Sequence, residues 1–324
     1  MKAMILAAGL GTRLRPLTLE RAKPAIPLLG KPLLVRLIEH LVNQGVTDFR
    51  VNLHHLPETL ESIFASPPHG SLPVSFSHED KILGTAGGLK ANDSFFDDGT
   101  FVMANADIVT DFPLAPALAF HRERGALATL LLYPQTAPYR YVPVRIDQEG
   151  NLHHFKKGPA APGSLQPTVY VFTGIHILEP EIFEFIPRHG FFEINDQVYP
   201  AALRAGKRVL GFPAQGYWND VGDPARYLSA QREMFLRCCK DPFLCIAQDA
   251  TVAPGAALGP YVSAAAGCII EAEASAQDAI LWEGAHVTRA AVLRNCIVGS
   301  GVSITDTCIN RLITRNGEVS IEPE

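Results

Sequence analysis

The sequence predicts an α/β fold with a mostly parallel β-sheet, followed by a short parallel β-helix. The first ~235 residues alternate apolar runs with amphipathic segments, which is the pattern of a parallel sheet covered by helices. After Pro242 the composition changes, and apolar residues recur at intervals of six with small residues between them. Such hexapeptide spacing is typical of triangular β-helix coils. We therefore predict one domain over residues 1–238 and a second over residues 243–324.

Apolar runs in the first domain predict its strands, which lie at residues 4–8, 49–53, 74–76, 101–104 and 126–133. The last run is nearly all apolar, which is expected at the centre of a parallel sheet because both faces are covered. Pro32 is predicted to open a helix that ends at Gly45, with leucines, isoleucine and valine along one face.

Two further elements close the first domain. Residues 142–155 predict a hairpin with its turn at Gly150. Asp223 is predicted to be the N-cap of a helix that begins at Pro224 and runs to about Arg237.

The hexapeptide pattern defines the second domain. Its inward-facing residues, one for each side of a coil, are predicted to be Ile246, Val252, Leu258, Ala264 and Ile270. The segment has one histidine, His286, for which we expect a place on the coil surface rather than a role in acyl transfer.

Composition bounds the possible partners. The chain has 324 residues and a formal net charge of −5, without a long basic run, so we expect no polymeric nucleic-acid partner. No apolar stretch approaches the ~18 residues of a membrane span, so we expect no membrane partner. The cysteines all follow residue 237 without a CxxC pair, and we expect small buried hydrophobes in a reducing cytoplasm.

A glycine-rich turn directly follows the first predicted strand. Gly9 and Gly11 let the backbone approach a phosphate, and Arg13 and Lys23 add positive charge for phosphoryl chemistry. The segment is not a Walker A loop, and Leu14 stands where a dinucleotide fingerprint needs its third glycine.

Two aspartates are candidate metal ligands. Asp107 follows an apolar strand, at the end where parallel sheets place ligands, and carboxylates there can hold Mg²⁺ beside a triphosphate. Asp220 lies in the segment 218–224 and offers a second carboxylate, with a turn or cap role as its alternative. A second glycine-rich stretch, residues 83–89, could be a plain glycine turn into a helix.

The run Gly-x-Gly-Thr-Arg-Leu-x-Pro-Leu-Thr followed by Lys-Pro resembles the signature of the sugar-1-phosphate nucleotidylyltransferases, and the resemblance spans essentially the whole chain. It implies a Rossmann-like nucleotidyltransferase domain, a left-handed β-helix, and Mg²⁺ on Asp107 and Asp220. The implied catalytic residues are Arg13, Lys23 and Asp107. The implied nucleotide-binding residues are Ala8, Gly9, Gly11, Thr12, Arg13, Gly84, Thr85, Gly87 and Gly88.

On the sugar side, the resemblance implies contacts by Phe172, Thr173 and Gly174, and by Lys157 to the sugar phosphate. The family usually has an acidic residue before that lysine, and this chain has none. Glu193 either supplies the missing carboxylate or caps the helix that follows.

The implied reaction joins a nucleoside triphosphate to a sugar 1-phosphate and releases pyrophosphate. The mannose-1-phosphate guanylyltransferases are the nearest resemblance. The alternatives are thymidylyl or uridylyl transfer to glucose 1-phosphate, and a non-catalytic regulatory relative that binds nucleotide sugar. We further expect a homo-oligomer built through the second domain, which would serve assembly rather than chemistry. On that view, a chain that ends near Asp241 shifts toward the monomer and still binds NTP.

Overall fold

The computed structural model describes residues 1–96, 99–135, 140–154, 168–239 and 243–322, with the backbone alone for His153 and His154. The chain divides into two compact units. The N-terminal unit comprises Met1–Gly9 and Leu34–Trp218, and the C-terminal unit comprises Leu10–Leu33 and Asn219–Glu324.

The strands of the first 220 residues are β1 (Lys2–Leu6), β2 (Pro27–Leu28), β3 (Lys31–Pro32), β4 (Asp48–Leu53), β5 (Val74–His78), β6 (Phe101–Asn105), β7 (Ile108–Thr110), β8 (Ala128–Gln135), β9 (Arg145–Ile146), β10 (Leu152–His154), β11 (Val169–Leu178), β12 (Val209–Pro213) and β13 (Trp218–Asp220). The α-helices are α1 (Leu33–Asn43), α2 (Pro57–Phe64), α3 (Gly84–Lys90), α4 (Leu114–Glu123), α5 (Tyr199–Arg204) and α6 (Pro224–Cys238). Short 3₁₀ turns occur at Thr12–Leu14, Leu17–Leu19, Lys23–Ala25, Asp93–Phe95 and Pro180–Phe185, and a π-helical turn at Ile194–Val198.

The N-terminal unit is built on one mixed sheet in the order β12-β8-β11-β6-β1-β4-β5. Its neighbours are parallel except at β11, which is antiparallel to both β6 and β8. The predicted parallel character therefore holds for most of the sheet and fails at β11. Apolar patterning shows that a strand is buried, but the strand direction depends on the connection that precedes it.

The prediction that residues 126–133 form the centre of the sheet is wrong. This strand, β8, lies second from one edge. Its buried residues are nevertheless apolar except for Thr129, because α4 packs on it and the β9–β10 hairpin adds Ile146 and Leu152 to the same core. Complete burial, rather than a central position, explains the continuous apolar run.

The predicted helices and hairpin are present. The first helix begins at Leu33, one residue after Pro32, and Gly45 follows its end in a left-handed conformation. β9 and β10 pair antiparallel, and the Asp147 carboxylate accepts from the backbone amides of Glu149 and Asn151 to stabilise the turn. No helix among the described residues is long and apolar enough to cross a membrane.

The strands of the C-terminal unit beyond residue 243 are β14 (Leu244–Ile246), β15 (Thr251–Val252), β16 (Ala257–Leu258), β17 (Val262–Ala264), β18 (Ile269–Ile270), β19 (Ser275–Leu281), β20 (His286–Val287), β21 (Val292–Val298), β22 (Ser303–Ile304), β23 (Thr307–Ile309), β24 (Arg311–Thr314) and β25 (Gly317–Ser320). All pair in parallel except β24 with β25. Thr251 pairs with Ile269, Ile269 with His286 and His286 with Ser303, so the chain returns to the same row every 17 or 18 residues.

The burial predicted for this part of the chain is correct in its later coils. Ala264 and Ile270 are buried, whereas Val252 is 38% exposed, so its predicted inward position is wrong. Val252 lies on β15, the edge of its sheet, where no preceding strand covers it among the described residues. Of the cysteines, all free, only Cys268 and Cys296 are buried, so the prediction of buried hydrophobes holds for these two.

Candidate active site

The signature segment, residues 10–33 of the C-terminal unit, folds into a tight turn at Gly11. Gly11 has a left-handed φ of +62°, and the Thr18 hydroxyl donates to its carbonyl oxygen at 2.9 Å. A Cβ atom on Gly11 would lie 2.8 Å from Thr18 Cγ2 and 3.2 Å from Lys23 Cβ. Both the conformation and the crowding require glycine here. The turn thereby holds the backbone of half-buried Lys23 against Gly11.

Arg13 meets two other charged side chains around Gly222 in the same unit. A Cβ on Gly222 would lie 2.8 Å from Arg226 Nη1, 3.1 Å from Asp220 Oδ2 and 3.4 Å from Arg13 Nη1. A glycine at this position therefore lets a carboxylate and two guanidinium groups converge. Arg13 itself is exposed, as is Thr12, so both can be reached from solvent.

Arg226 is a site residue that sequence reasoning missed. Its Nη1 donates to both carboxylate oxygens of Asp220, at 2.8 and 2.9 Å, and its side chain is 9% exposed. Its backbone amide donates to the Asp223 carboxylate at 3.0 Å, which confirms Asp223 as the N-cap of α6. A signal was available, because an arginine in the first turn of a helix opposes the helix dipole unless a carboxylate compensates it.

Asp107 belongs to the N-terminal unit, in the turn that follows β6. The strand is buried from Phe101 to Ala104, and Asp107 itself is half-buried. β6 is parallel to β1 with Leu6 opposite Asn105, and the Ala106 amide donates to the Leu6 carbonyl at 3.1 Å. The end of β1, which leads into Ala8 and Gly9, and the turn of Asp107 therefore emerge side by side. Ala8 is buried, and a Cβ on Gly9 would have no described atom within 4 Å.

The second glycine motif forms the short helix α3. Gly84 has φ +73°, and a Cβ there would lie 2.6 Å from the Phe192 carbonyl oxygen. The amides of Ala86 and Gly87 donate to that oxygen, while the Phe192 amide donates to the Leu83 carbonyl at 2.9 Å. The α3 segment, residues 83–90, is thus joined to the residues that precede the Ile194–Val198 turn.

A buried polar network supports α3 from its other side. Asn52 accepts from the Ala7 amide at 2.8 Å and donates to Glu79 at 2.7 Å, and Glu79 accepts from the Leu83 amide at 3.0 Å. A Cβ on Gly88 would lie 2.6 Å from Glu79 Oε1 and 2.8 Å from Asn52 Nδ2. Gly88 therefore leaves room for the network. The sequence pattern does not predict this network, because its members are far apart in the chain.

Gly87 has a similar packing requirement, since a Cβ there would lie 2.7 Å from the Gly190 carbonyl oxygen. Thr85 donates to the Glu193 carboxylate at 2.7 Å and accepts from the Ile194 amide at 2.8 Å. Glu193 precedes the Ile194–Val198 turn but makes no side-chain cap bond, so the capping role considered for it is absent.

The strand expected to contact the sugar is β11. Its Thr173 is buried, with the hydroxyl donating to the Leu131 carbonyl at 2.8 Å and the carbonyl accepting from Trp218 Nε1 at 2.8 Å. Gly174 has φ +85°, and a Cβ there would lie 2.6 Å from Asn105 Nδ2. Phe172 is half-buried against the core. Lys157 lies outside the described residues.

The structure brings together Arg13 with Asp220, Gly11 with Lys23, and Thr85 with Glu193. Asp107 lies in the N-terminal unit, whereas Arg13, Lys23 and Asp220 lie in the C-terminal unit. The described residues contain no cluster of three or more His, Cys, Asp or Glu side chains arranged for a metal ion. Asp107 and Asp220 offer hard carboxylate oxygens on half-buried side chains, a donor type that suits Mg²⁺.

Comparison with known proteins supplies relatives for both parts of the chain. Residues 2–235 match the family described as Nucleotidyl transferase, and residues 241–323 match the GMPPB C-terminal domain. A UTP–glucose-1-phosphate uridylyltransferase of Synechocystis is 35% identical over 254 residues, which are 74% of this chain. The match covers 65% of that protein, just under two thirds of its length.

Other relatives extend further or show the fold. Mannose-1-phosphate guanylyltransferase 1 of Arabidopsis thaliana is 27% identical over 316 residues, which cover 92% of this chain and 86% of that protein. The crystal structure of HddC from Yersinia pseudotuberculosis has a TM-score of 0.61 at 24% identity, over 72% of this chain and 99% of that one. The match over residues 2–235 shows that this chain belongs to the nucleotidyl transferase family and is a nucleotidyltransferase.

Proposed function

We propose that the protein transfers a nucleotidyl group from a nucleoside triphosphate to a sugar 1-phosphate, giving a nucleotide sugar and pyrophosphate. The observation that carries this proposal is the tight turn at Gly11, which presents exposed Arg13 and fixes Lys23 beside it. Its glycines and cations are suited to a polyphosphate. The names of both relatives support a sugar 1-phosphate as the acceptor.

The chemistry needs position and charge rather than a general base. A phosphate monoester has a second pKa of about 6, so the sugar phosphate is largely dianionic at pH 7. Its oxygen attacks the α-phosphorus while the bond to the β-phosphate oxygen breaks and pyrophosphate leaves. Arg13 would neutralise the departing β and γ phosphates, and Lys23 would offset repulsion between the two reacting phosphates.

A magnesium ion completes the proposed site. Asp107 and Asp220 would hold it, and it would supply positive charge at the phosphate oxygens. Arg226 has a distinct role, because its two hydrogen bonds orient the Asp220 carboxylate and limit the directions in which that group can turn.

The remaining proposed contacts follow the motifs. Nucleotide contacts are assigned to Ala8, Gly9, Gly11, Thr12, Arg13, Gly84, Thr85, Gly87 and Gly88. Gly87 and Gly88 are buried, so their part is to let α3 approach its neighbours closely and so shape the surface that meets the base. Sugar or sugar-phosphate contacts are assigned to Lys157, Phe172, Thr173, Gly174 and Glu193. Thr173 would act through its position in the β11 backbone, since its hydroxyl is bonded to Leu131.

The proposed substrates are GTP and mannose 1-phosphate. The match of residues 241–323 to the GMPPB C-terminal domain supports this pair, as does the guanylyltransferase relative that aligns over 92% of the chain. UTP or dTTP with glucose 1-phosphate is the second candidate, favoured by the uridylyltransferase relative at 35% identity.

We further propose a left-handed β-helix over residues 243–324, after a catalytic domain at 1–238. Three stacked rows of parallel pairs and a repeat of 17 or 18 residues support triangular coils of three hexapeptides. Exposed apolar side chains at Val252, Ile269 and Ile309 support a homo-oligomer formed through this domain. The free cysteines fit the cytoplasm as the proposed location.

A pyrophosphate-release panel tests the reaction and the substrates together. GTP, UTP, dTTP, ATP and CTP are each paired with mannose 1-phosphate and glucose 1-phosphate in the presence of Mg²⁺. We expect the highest kcat/KM with GTP and mannose 1-phosphate. Preference for UTP or dTTP with glucose 1-phosphate would establish the second candidate. No release with any pair, despite measurable nucleotide binding, would indicate the non-catalytic alternative.

The proposed magnesium site has a direct test in Asp107→Asn. We expect loss of Mg²⁺-dependent turnover with a thermal midpoint close to that of the wild type, because the exchange preserves shape and removes charge. Asp48→Asn is the matched control, since Asp48 is exposed at the start of β4 and should retain activity. A large fall in the thermal midpoint with normal activity per folded molecule would show that Asp107 is structural.

A further inference from the structure

The signature segment is bound to the strand-rich region of its own unit, which comprises β14 to β25 (residues 244–320). The residue that binds it is Arg21, an arginine to which the signature motif assigns no role. Arg21 Nη2 donates to Glu283 Oε2 at 2.6 Å and to Ser300 Oγ at 3.1 Å, and Nη1 donates to Glu283 Oε1 at 3.3 Å. The guanidinium also lies over the indole ring of Trp282, 4.2 Å from the ring centroid. A bidentate ion pair with a stacked face fixes both the position and the plane of an arginine.

Two further contacts fix the segment on either side of Arg21. The backbone amide of Ser300 donates to the Glu20 carboxylate at 3.3 Å. The Tyr227 hydroxyl donates to the Pro27 carbonyl oxygen and accepts from Trp282 Nε1 at 3.2 Å. Residues 20, 21 and 27 are therefore all bound to one small region of the later chain.

Lys23 lies within this anchored stretch. It follows Arg21 by two residues, Ala22 between them is fully buried, and the Lys23 Cβ packs against the turn at Gly11 that precedes Arg13. A shift of the backbone at Arg21 would therefore move Lys23 and the turn together.

Charge and burial favour the pair as a fixed contact. Burial by itself would raise the pKa of the Glu283 carboxyl. The hydrogen bond and charge of Arg21, with a hydrogen bond from Ser300, together lower this pKa by more than burial raises it, so the net pKa is below its ordinary value. Glu283 is thus an anion at neutral pH. Trp282 is fully buried beneath the guanidinium, so the platform on which Arg21 lies is rigid.

We propose that Arg21 is a positioning residue for phosphoryl transfer, held by Glu283 and Trp282, so that the strand-rich region sets the conformation of the phosphate-binding turn. The inference rests on the proposed function. It replaces the expectation that residues after about 245 serve assembly alone, because those residues supply Glu283, Trp282 and Ser300. It also predicts that a chain ending near Asp241 binds NTP poorly.

The test uses the full chain with Arg21→Ala, Arg21→Lys and Glu283→Gln. Arg232→Ala is the matched control, because Arg232 makes a similar ion pair in the same unit, 2.6 Å from Asp278, and its other hydrogen bond is to Asn295 rather than to the signature segment. For Arg21→Ala and Glu283→Gln we expect at least a tenfold loss of kcat/KM for the nucleotide. For Arg232→Ala we expect near wild-type kinetics at a similar decrease in thermal midpoint.

Two readouts separate positioning from stability. Arg21→Lys should recover part of the lost kcat/KM, since it keeps the charge but loses the bidentate, stacked geometry. The double variant Arg21→Ala with Glu283→Gln should be little worse than either single variant, because the two residues act as one unit. Equal kinetics for Arg21→Ala and Arg232→Ala would overturn the inference.

Hydrogen exchange distinguishes failure of this inference from failure of the proposed function. Peptides that cover residues 10–33 should exchange faster in Arg21→Ala than in the wild type. In Arg232→Ala the exchange rate of these peptides should be unchanged. If exchange is faster in Arg21→Ala but the wild type is inactive with every substrate pair, the proposed function is refuted and the role of Arg21 in anchoring the segment is supported. Unchanged exchange in Arg21→Ala would refute the anchoring whatever the activity.

Discussion

The two glycine-rich motifs of this chain look alike in sequence, but they differ in exposure and in the residues that bind them. The signature segment presents exposed residues, Thr12 and Arg13, and is bound to the strand-rich region through Arg21 and Glu283. The α3 segment is mostly buried and is held within the N-terminal unit by Asn52 and Glu79 on one side and by residues 190–194 on the other.

The glycines themselves show the difference. A Cβ on Gly9 would meet no described atom within 4 Å, whereas a Cβ on Gly88 would lie 2.6 Å from a carboxylate oxygen. Gly9 thus leaves space that a ligand can enter, and Gly88 leaves space that the protein itself fills. A substitution of Gly9 should therefore change chemistry, and a substitution of Gly88 should change stability.

The largest effect is expected from Arg13→Ala. Removing one preorganised charge from a phosphoryl-transfer site should lower kcat by at least ~100-fold, about 2.7 kcal/mol in activation free energy. The thermal midpoint should stay near that of the wild type because Arg13 is exposed. Arg15→Ala, at an exposed arginine two residues later, is the control and should keep its turnover. Near-normal kcat for Arg13→Ala in a pyrophosphate-release assay would contradict the assignment.

A smaller effect of the other kind is expected from Gly88→Ala. The added methyl group overlaps Glu79 and Asn52, so we expect a decrease of about 1–3 kcal/mol in the free energy of unfolding. Gly9→Ala is the matched variant, which should unfold like the wild type and raise KM for the nucleotide. Urea titration and steady-state kinetics on both variants measure the contrast. If both substitutions lower stability equally, the two motifs do not differ as described.

The hydrophobic pattern was sufficient to find the elements that position part of this site. An apolar strand delivers Asp107 at its carboxyl end, and the Asp223-Pro224 pair gives the start of α6, because these depend on local chemistry. The antiparallel direction of β11 was not predictable from burial alone. Nor was the Arg21–Glu283 pair, whose partners are separated by 262 residues and therefore meet only through the tertiary fold.

The smallest expected effect is a difference in pH dependence between the residues that stabilise the two motifs. His176 is bonded to the hydroxyl of Tyr199, the first residue of α5, directly after the Ile194–Val198 turn on which α3 packs. Complete burial lowers the pKa of His176 to about 3, while the unfolded residue has a pKa of about 6.5. The unfolded chain binds a proton that the folded chain does not, so stability is full above about pH 6.5 and falls as the pH drops toward 3. Burial also lowers the pKa values of His40 and His121 in the same unit, with the same sign.

Glu283, which binds the signature segment through Arg21, stabilises the fold over a different pH range. Its pKa is below the ordinary 4.5, so its contribution persists above about pH 4.5 and is lost only as the pH falls further. Between pH 7.5 and 5.5 we therefore expect His176→Gln to lose less stability than the wild type, by about 1.4 kcal/mol. Glu283→Gln should lose as much as the wild type over that range. Urea titrations at the two pH values measure this. An unchanged pH dependence in His176→Gln would show that acid does not act first on the support of α3.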